Sequence, residues 1–468
     1  MSNTTTTKPQ LNEKQQYAYN QIMSGKNVFM TGDAGVGKSF VLQQVIKDLG
    51  RDKVFVAAPT GIAALNVDGI TIHRLFGLQT NINLFQAPTG KQLKRFKSLF
   101  DQKHHILIID EISMCSSALF SYVMAGIAKV EQMKGIHIQV ILVGDFSQLP
   151  PVVRRGSMEE RQMISQFNGV FAFQTPAWTK LNLETIVLTD IVRQNNPDFT
   201  KALNEIRSGN TDGLKYINAK SNDSELSEAI TLCGTNKKAK AINQSKLAQV
   251  NNKSYFFNAY ESPSFPQNSI PTDENMELKV GTRVMTIKNG IDDQGFEYYN
   301  GSLGKIVNIK TQGFFTNKTR IMAPSSVDST SDYDDGPIIS IQLDNGPLIH
   351  VTWAKWDIYN YSKDSKGRLK KYLVGTYIQL PIKLAYAITI HKSQGQTYDR
   401  VNFDPQIFAE GQLYVGLSRV RSIDGLHLLK PLKDRMVKTA TPVNEFYRDM
   451  ATPHDEDTDD SQSDSNAN

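Results

Sequence analysis

Short apolar runs alternate with helical patterns along the first part of the chain. The runs lie around Val28, Val54, Ile106 and Val140. The first is followed by glycines and then by a helical pattern over 40–49, in which apolar residues recur every three or four positions. Runs that are apolar throughout indicate strands buried on both faces. The pattern therefore predicts a parallel α/β sheet with its functional residues at the carboxyl ends of the strands.

A second α/β region is expected from residue 184 onward, interrupted over 291–376 by Gly- and Asn-rich turns between short alternating strands. That interruption predicts a small antiparallel β domain. Between the early strands, residues 78–103 interrupt the α/β pattern with a polar loop and a short amphipathic helix.

Composition narrows the class of protein. The chain has 468 residues, of which 40% are hydrophobic and 21% charged, as in ordinary globular proteins. Its net charge is +5, and six carboxylates lie in the tail from His454, so the preceding residues carry +11. A basic body suggests a polyanionic partner, although a solvated surface with excess lysine explains the charge equally well. The tail is predicted to be disordered.

No apolar run is long enough to span a membrane, and the N-terminus lacks the apolar core of a signal peptide. The two cysteines, Cys115 and Cys233, lie in apolar surroundings without metal-ligand spacing. These features predict a cytoplasmic protein with no membrane partner.

The segment "GDAGVGKS" fits the phosphate-loop pattern G-x-x-x-x-G-K-[ST]. Glycines allow the backbone amides to turn toward phosphate, the lysine reaches the outer phosphates, and the serine binds Mg²⁺. The alternative, an ordinary glycine-rich turn, is disfavoured by the flanking strand and helix. The residues expected to bind ATP here are Gly32, Ala34, Gly35, Val36, Gly37, Lys38 and Ser39.

Two later strands end in residues that would complete a hydrolytic site. Asp110 and Glu111 follow the strand at Ile106, where an Asp would hold Mg²⁺ through water and a Glu would polarise the attacking water. Gln148 follows the strand at Val140 and would orient water or sense the γ-phosphate. Taken singly, the Asp-Glu pair is usually a strand-to-helix cap and Gln148 a turn residue. The phosphate loop earlier in the chain makes the catalytic interpretation of the Asp-Glu pair the stronger one.

The order of the motifs carries a resemblance to a known family. The chain contains, in sequence, "GDAGVGKS", "AAPTGIAA", "ITIHRLFG", "IIDEISM", "GDFSQLPPV", "LTDIVRQ", "ITIHKSQGQT" and "LYVGLSRV". This set resembles superfamily 1B DNA helicases, most closely the Pif family, with RecD-like and phage Dda-like enzymes as further relatives. The likeness spans about residues 10 to 430. The resemblance implies a minimal bacterial or phage enzyme.

The resemblance implies two RecA-like domains that close over one ATP. The implied first domain consists of residues 1–77 and 104–183, with a small accessory insert at 78–103. The implied second domain consists of residues 184–290 and 377–450, with a Src-homology-like β-barrel inserted at 291–376. A disordered tail at 451–468 follows the second domain. Phe85 in the accessory insert is a candidate strand-separating wedge, and the alternative is a simple capping loop.

The resemblance also assigns further site residues. Gln15 would bind adenine, with Gln16 as the alternative, and Gly395 would join the nucleotide-binding set. Arg193 and Arg419 would reach the γ-phosphate from the second domain. The implied DNA-binding residues are Thr60, His73, His391 and Ser393.

We therefore expect an ATP- and Mg²⁺-dependent DNA helicase that moves 5′→3′ on single-stranded DNA and acts at junctions of single- and double-stranded DNA in replication, repair or recombination. The resemblance implies a monomer in a bacterial or phage-infected cell, with a single-stranded-DNA-binding protein or a replication protein as a candidate partner. Two rivals are an ATP-latched DNA-binding scaffold and a small-molecule kinase. Intact Glu111, Gln148 and the two arginines disfavour the scaffold, and a second α/β half disfavours the kinase.

Overall fold

A computed structural model describes residues 11–451 except 52, 79–81, 191–195, 227–228, 268–269, 312–319, 326–335, 345 and 364–368. Arg193 and the predicted tail after residue 451 lie outside the described residues. Within the described part of the chain, no helix is both long and apolar enough to cross a bilayer.

The first sheet has six parallel strands in the order β3-β2-β4-β5-β1-β6. The strands are β1 (Val28–Gly32), β2 (Val54–Ala58), β3 (Ile70–Thr71), β4 (Ile106–Ile109), β5 (Gln139–Val143) and β6 (Glu184–Leu188). Every residue of β1, β2, β4 and β5 is buried, as their unbroken apolar runs predicted. The predicted α/β fold with a parallel sheet is confirmed.

Helices cover both faces of this sheet. They are α1 (Glu13–Met23), α2 (Lys38–Leu49), α3 (Gly61–Asn66), α4 (Ile72–Leu75), α5 (Gly90–Leu99), α6 (Ser117–Lys134), α7 (Met158–Phe167) and α8 (Pro176–Lys180). Neighbouring residues of β1 face different cores: Phe29 packs with α5 and α6, whereas Val28 and Met30 pack with α1 and α2. This alternation follows from the two-residue period of a strand.

A second parallel sheet has the order β21-β7-β22-β23. Its strands are β7 (Ile230–Cys233), β21 (Ala387–Thr389), β22 (Val401–Phe403) and β23 (Leu426–Leu428). The helices of this half are α9 (Pro197–Ser208), α10 (Asp212–Lys220), α11 (Asn236–Ala248) and α12 (Gln412–Leu417), and a last helix, α13, spans Thr441–Ala451. We call this sheet with α9 to α12 the second core domain, and the six-stranded sheet with its helices the first.

Between β7 and β21 the chain forms short, mostly antiparallel strands around a separate apolar core. They are β8 (Tyr255–Asn258), β9 (Tyr260–Glu261), β10 (Asn275–Leu278), β11 (Arg283–Thr286), β12 (Gly290–Ile291), β13 (Glu297–Tyr298), β14 (Leu303–Lys310), β15 (Arg320–Met322), β16 (Ile338–Leu343), β17 (Leu348–Val351), β18 (Ala354–Lys363), β19 (Leu369–Gln379) and β20 (Ile382–Leu384). This β region is wider than the predicted 291–376. Its description as a Src-homology-like barrel stays a prediction.

Two elements lie with the first sheet although the sequence-based boundaries put them in the second core domain. Strand β6 pairs in parallel with β1 over its whole length. Helix α13 buries Val443 in the first domain's core, and Phe446 stacks on Phe173 with ring centroids 4.3 Å apart. The chain therefore crosses to the second core domain after β6 and returns to the first at α13.

The accessory segment is continuous with the first core. In α5, Phe96 is fully buried and stacks on Phe76 with ring centroids 4.4 Å apart. Phe85 is half-buried, lies nearly parallel to Phe167 of α7 with ring centroids 6.3 Å apart, and packs against the buried cluster of Ala118, Met163 and Phe167. This packing favours the capping role of Phe85 over the wedge role.

Candidate nucleotide-binding cleft

The phosphate loop links β1 to α2, as predicted. Gly37 ends the loop with φ +84°, and a Cβ there would lie 2.5 Å from Nε2 of Gln15, so a side chain would be both strained and obstructed. The ammonium of Lys38 donates to the carbonyls of Gly32 and Asp33, at 2.8 and 3.0 Å. Burial lowers the pKa of Lys38. A desolvated ammonium on a glycine-framed helix N-terminus fits a bound polyphosphate.

Gln15 lies directly against this loop. Its Nε2 donates to the carbonyl of Val36 at 3.0 Å, and its Oε1 accepts from the amide of Asn12 at 3.1 Å. Gln16 is exposed and bonds instead to Asn20 on the same helix. Of the two candidate glutamines, the geometry therefore favours Gln15 for contact with the nucleotide.

Asp110 and Glu111 lie where β4 ends, beside the loop. Glu111 adopts a left-handed backbone with φ 52° and ψ 46°, which is uncommon for a residue other than glycine and clusters at functional sites. Burial, reinforced by the neighbouring Glu111, raises the pKa of Asp110 to about 7. Burial also raises the pKa of Glu111. Two desolvated carboxylates next to a phosphate loop fit a divalent cation, which Asp110 and the exposed Ser39 would hold.

Gln148 follows β5, and a residue of the second core domain joins it to Glu111. Nε2 of Gln394 donates to Oε2 of Glu111 at 2.8 Å and lies 3.4 Å from Oε1 of Gln148. Gln394 is buried, and the adjacent Gly395 is exposed with φ +80°. The sequence analysis quoted "IHKSQGQT" but missed Gln394, although a glutamine next to a motif glycine was an available signal.

The second core domain also reaches the phosphate loop through α12. The hydroxyl of Tyr414 accepts a hydrogen bond from the amide of Ala34 at 3.0 Å. At the start of α12, a Cβ on Gly411 would lie 2.2 Å from the carbonyl oxygen of Gln148, so only glycine allows this close approach. An exposed ion pair between Arg155 and Glu410, at 2.7 Å, spans the same junction.

Arg419 lies two residues beyond the end of α12 and is 2% exposed. Its guanidinium donates to the carbonyl of Val415 at 2.8 Å and to Oγ of Ser418 at 2.8 Å. Burial lowers the pKa of Arg419, and the nearby Tyr414 and Glu111 oppose that effect. A desolvated guanidinium close to the expected general base suits a group that acts on a γ-phosphate.

The predicted DNA-binding residues follow β2, β3 and β21. His73 is exposed in α4, and Thr60 accepts from the amide of Ala63 at 3.2 Å, which makes it a helix cap. Ser393 is fully buried, and its hydroxyl donates to the carbonyl of Ile390 at 2.8 Å. In this structure Ser393 therefore holds its own turn and does not face solvent.

His391 is half-buried and has an aromatic neighbour that the sequence analysis missed. The ring of Phe408 lies nearly parallel to that of His391, with 6.4 Å between centroids and 20° between planes. Phe408 is 57% exposed. An exposed aromatic ring beside a candidate DNA contact has the chemistry of a base-stacking platform.

Comparison with known proteins agrees with this geometry. A family model described as PIF1-like helicase matches residues 10–215. A curated relative from Campylobacter jejuni, named ATP-dependent DNA helicase Pif1, is 30% identical, and the match covers 92% of this chain and 96% of that protein. The chain belongs to the PIF1-like helicase family.

Solved Pif1 structures resemble most of the chain. Pif1 from Bacteroides sp in complex with ADP-AlF4 has a TM-score of 0.76 and 30% identity, and the match covers 94% of this chain and 97% of that one. Bacteroides Pif1 bound to ssDNA has a TM-score of 0.62, also at 30% identity, with coverage of 94% and 97%. The chain spans 62% and 56% of the length of two fungal relatives named PIF1, from Emericella nidulans and Candida albicans.

Proposed function

We propose that this chain is an ATP-dependent DNA helicase that moves 5′→3′ on single-stranded DNA and unwinds duplexes. One observation carries the proposal: the expected general base, Glu111 of the first core domain, is hydrogen-bonded by Gln394 of the second. A nucleotide site built from both domains can convert hydrolysis into relative domain movement. A one-domain kinase has no use for such a contact.

In this proposal each cleft residue has a separate task. Lys38 leaves the two carbonyls that hold it and binds the outer phosphates. Glu111 accepts a proton from the attacking water, and Gln148 and Gln394 orient that water. Arg419, and Arg193 by resemblance, balance the charge that develops on the γ-phosphate. Magnesium, when bound, supplies electrostatic stabilisation of the phosphate oxygens.

The proposed DNA path crosses the carboxyl ends of both sheets. Thr60 and His73 lie on the first core domain, and His391 and Phe408 on the second. The basic body of the chain supplies phosphate attraction, so binding should depend weakly on sequence and strongly on salt. The Bacteroides relative bound to ssDNA supports this partner, and the Bacteroides relative in complex with ADP-AlF4 supports an adenine nucleotide as the cofactor.

The competing scaffold hypothesis predicts DNA binding without productive unwinding. An unwinding assay distinguishes the helicase from the scaffold. Duplexes that carry either a 5′ or a 3′ single-stranded overhang are incubated with ATP and Mg²⁺ at two salt concentrations. We expect unwinding from the 5′ overhang alone, weaker at the higher salt. Unwinding only from the 3′ overhang would overturn the proposed polarity, and binding without unwinding or DNA-stimulated hydrolysis would favour the scaffold.

A further inference from the structure

Arg207, in the last turn of α9, reaches across the cleft into the first core domain. Its Nη2 lies 2.9 Å from Oδ1 of Asp145, and its Nε lies 3.2 Å from Oδ1 of Asp33. The Arg207 side chain is 20% exposed and that of Asp145 is fully buried. Helix α9 is anchored in the second core by its buried Leu203 and Ile206. One guanidinium thus bridges two carboxylates of the other domain.

Both carboxylates belong to segments that carry expected catalytic groups. Asp33 lies in the phosphate loop, and its backbone carbonyl holds the ammonium of Lys38 at 3.0 Å. Oδ2 of Asp145 accepts from Nε2 of Gln148 at 3.4 Å. The contacts therefore run from α9 to Lys38 on one side and to Gln148 on the other.

Residues of the first core domain and of helix α13 surround this guanidinium. The ring centroid of Tyr447 lies 4.8 Å from Cζ of Arg207, a cation–π distance. The hydroxyl of Tyr447 lies 3.0 Å from Oδ1 of Asp145 and 3.0 Å from Oγ1 of Thr31. The amide of Phe146 donates to the same hydroxyl at 2.9 Å. These contacts hold Tyr447 and Asp145 in the positions from which they bind Arg207.

A planar guanidinium fits this set of contacts better than the compact charge of a lysine. Arginine presents several donors in fixed directions and stacks on aromatic rings, so it can meet two carboxylates and a tyrosine ring at once. A lysine could neutralise one carboxylate but could not reproduce the bridge. Since Asp145 is fully buried, its partner is a specific part of the junction and not a solvated surface charge.

We infer that Arg207 is a positioning residue that transmits closure of the second core domain to the phosphate loop and to Gln148. The inference rests on the proposed motor function. Arg207 acts through Asp33 and Asp145, whereas Arg193 and Arg419 are expected to act on the phosphate itself. When single-stranded DNA favours the closed cleft, the bridge sets the loop and the water-orienting glutamine in their reactive arrangement.

The test compares ATP turnover with and without saturating oligo-dT in Arg207→Gln, Arg207→Lys and Asp33→Asn. We expect Arg207→Gln to lose about tenfold in DNA-stimulated kcat, within the range typical for coupling between sites, while basal turnover and KM for ATP change much less. Arg207→Lys should recover part of the stimulation. Asp33→Asn, which leaves Arg207 in place, should change kcat in the same direction as Arg207→Gln.

The matched control is Arg155→Gln, which breaks the exposed Arg155–Glu410 pair across the same junction and should leave the stimulation unchanged. Equal losses of basal and stimulated turnover in Arg207→Gln would overturn the inference, as would normal stimulation in both Arg207→Gln and Asp33→Asn. If Asp33→Asn keeps normal DNA-stimulated turnover while Arg207→Lys is inactive, Arg207 binds phosphate directly, and the inference is again overturned. Wild-type protein without DNA-stimulated turnover would overturn the proposed function itself, and the inference with it.

Discussion

The side-chain amide of Gln394 donates to the carboxylate of Glu111 at 2.8 Å, and this bond joins the two core domains at the expected general base. Glu111 has a left-handed backbone, an uncommon conformation that persists only where the surrounding structure holds it. The hydrogen bond from Gln394 stabilises the charged carboxylate, which is the form that accepts a proton.

Gln394→Ala should therefore lower DNA-stimulated kcat by about tenfold while KM for ATP changes little, because Gln394 orients the base and the attacking water and does not bind nucleotide. Steady-state hydrolysis with saturating single-stranded DNA measures both constants. Gln406→Ala, at an exposed glutamine nearby in the chain, is the control. A rise in KM with unchanged kcat would show that Gln394 binds the nucleotide instead.

Glu111→Gln tests the base directly. The substitution keeps the shape of the side chain and removes its basicity, so nucleotide and Mg²⁺ should still bind while turnover falls by roughly 10² or more. Equilibrium titration with a fluorescent ATP analogue, followed by single-turnover hydrolysis, separates the two properties. Lost binding in the titration would contradict the assignment of Glu111 as the base.

Lys38→Ala should abolish hydrolysis and leave single-strand binding intact, because Lys38 lies in the phosphate loop and not on the proposed DNA path. Lys47→Ala, at an exposed position in the last turn of the same helix, controls for the lost charge and for helix stability. ATPase assays and fluorescence anisotropy with labelled oligo-dT measure the two activities. Hydrolysis by Lys38→Ala near the wild-type rate would mean that the loop has been misinterpreted.

Phe408→Ala and His391→Ala should each weaken single-strand binding, because base–aromatic stacking contributes about 1–3 kcal/mol per base. Phe296→Ala, at another exposed aromatic residue, in the β region, is the matched control. Ser393→Ala should lower the melting temperature more than the DNA affinity, since the Ser393 hydroxyl bonds within its own turn. Unchanged affinity in both aromatic-site variants would exclude this ring pair from the DNA path.

The phosphate loop could be predicted from the sequence because all its determinants are local. Strand, glycines, lysine and helix follow one another within 28–49, and the structure reproduces that order. The Asp-Glu pair at the end of β4 was equally accessible, since it ends an apolar run. The parallel sheet also follows from apolar runs alone.

The contacts between distant segments could not be predicted in this way. The pattern of β6 shows a strand but not its partner, and only pairing with β1 puts it in the first sheet. The apolar face of α13 indicates burial without specifying against which core. Arg207 lies in "NEIRSG", where nothing local distinguishes it from a surface arginine at a helix end. Its role depends on Asp33 and Asp145, which are remote in sequence.

Arg419→Lys tests the central claim, that one nucleotide is hydrolysed between two domains. Arg419 belongs to the second core domain, whereas Lys38, Asp110 and Glu111 belong to the first. A lysine keeps the charge but cannot bridge phosphate oxygens as a planar guanidinium does. Arg421→Lys, at an exposed arginine two residues later, is the matched control.

The decisive measurement is DNA-stimulated ATP turnover of folded Arg419→Lys, beside its affinities for ATP and oligo-dT. We predict retained affinities, no unwinding, and a fall in turnover on the order of 10³-fold, the size of effect known for arginine fingers. Arg193→Lys is expected to behave in the same way. Near-normal turnover in Arg419→Lys would contradict a nucleotide site completed by the second core domain.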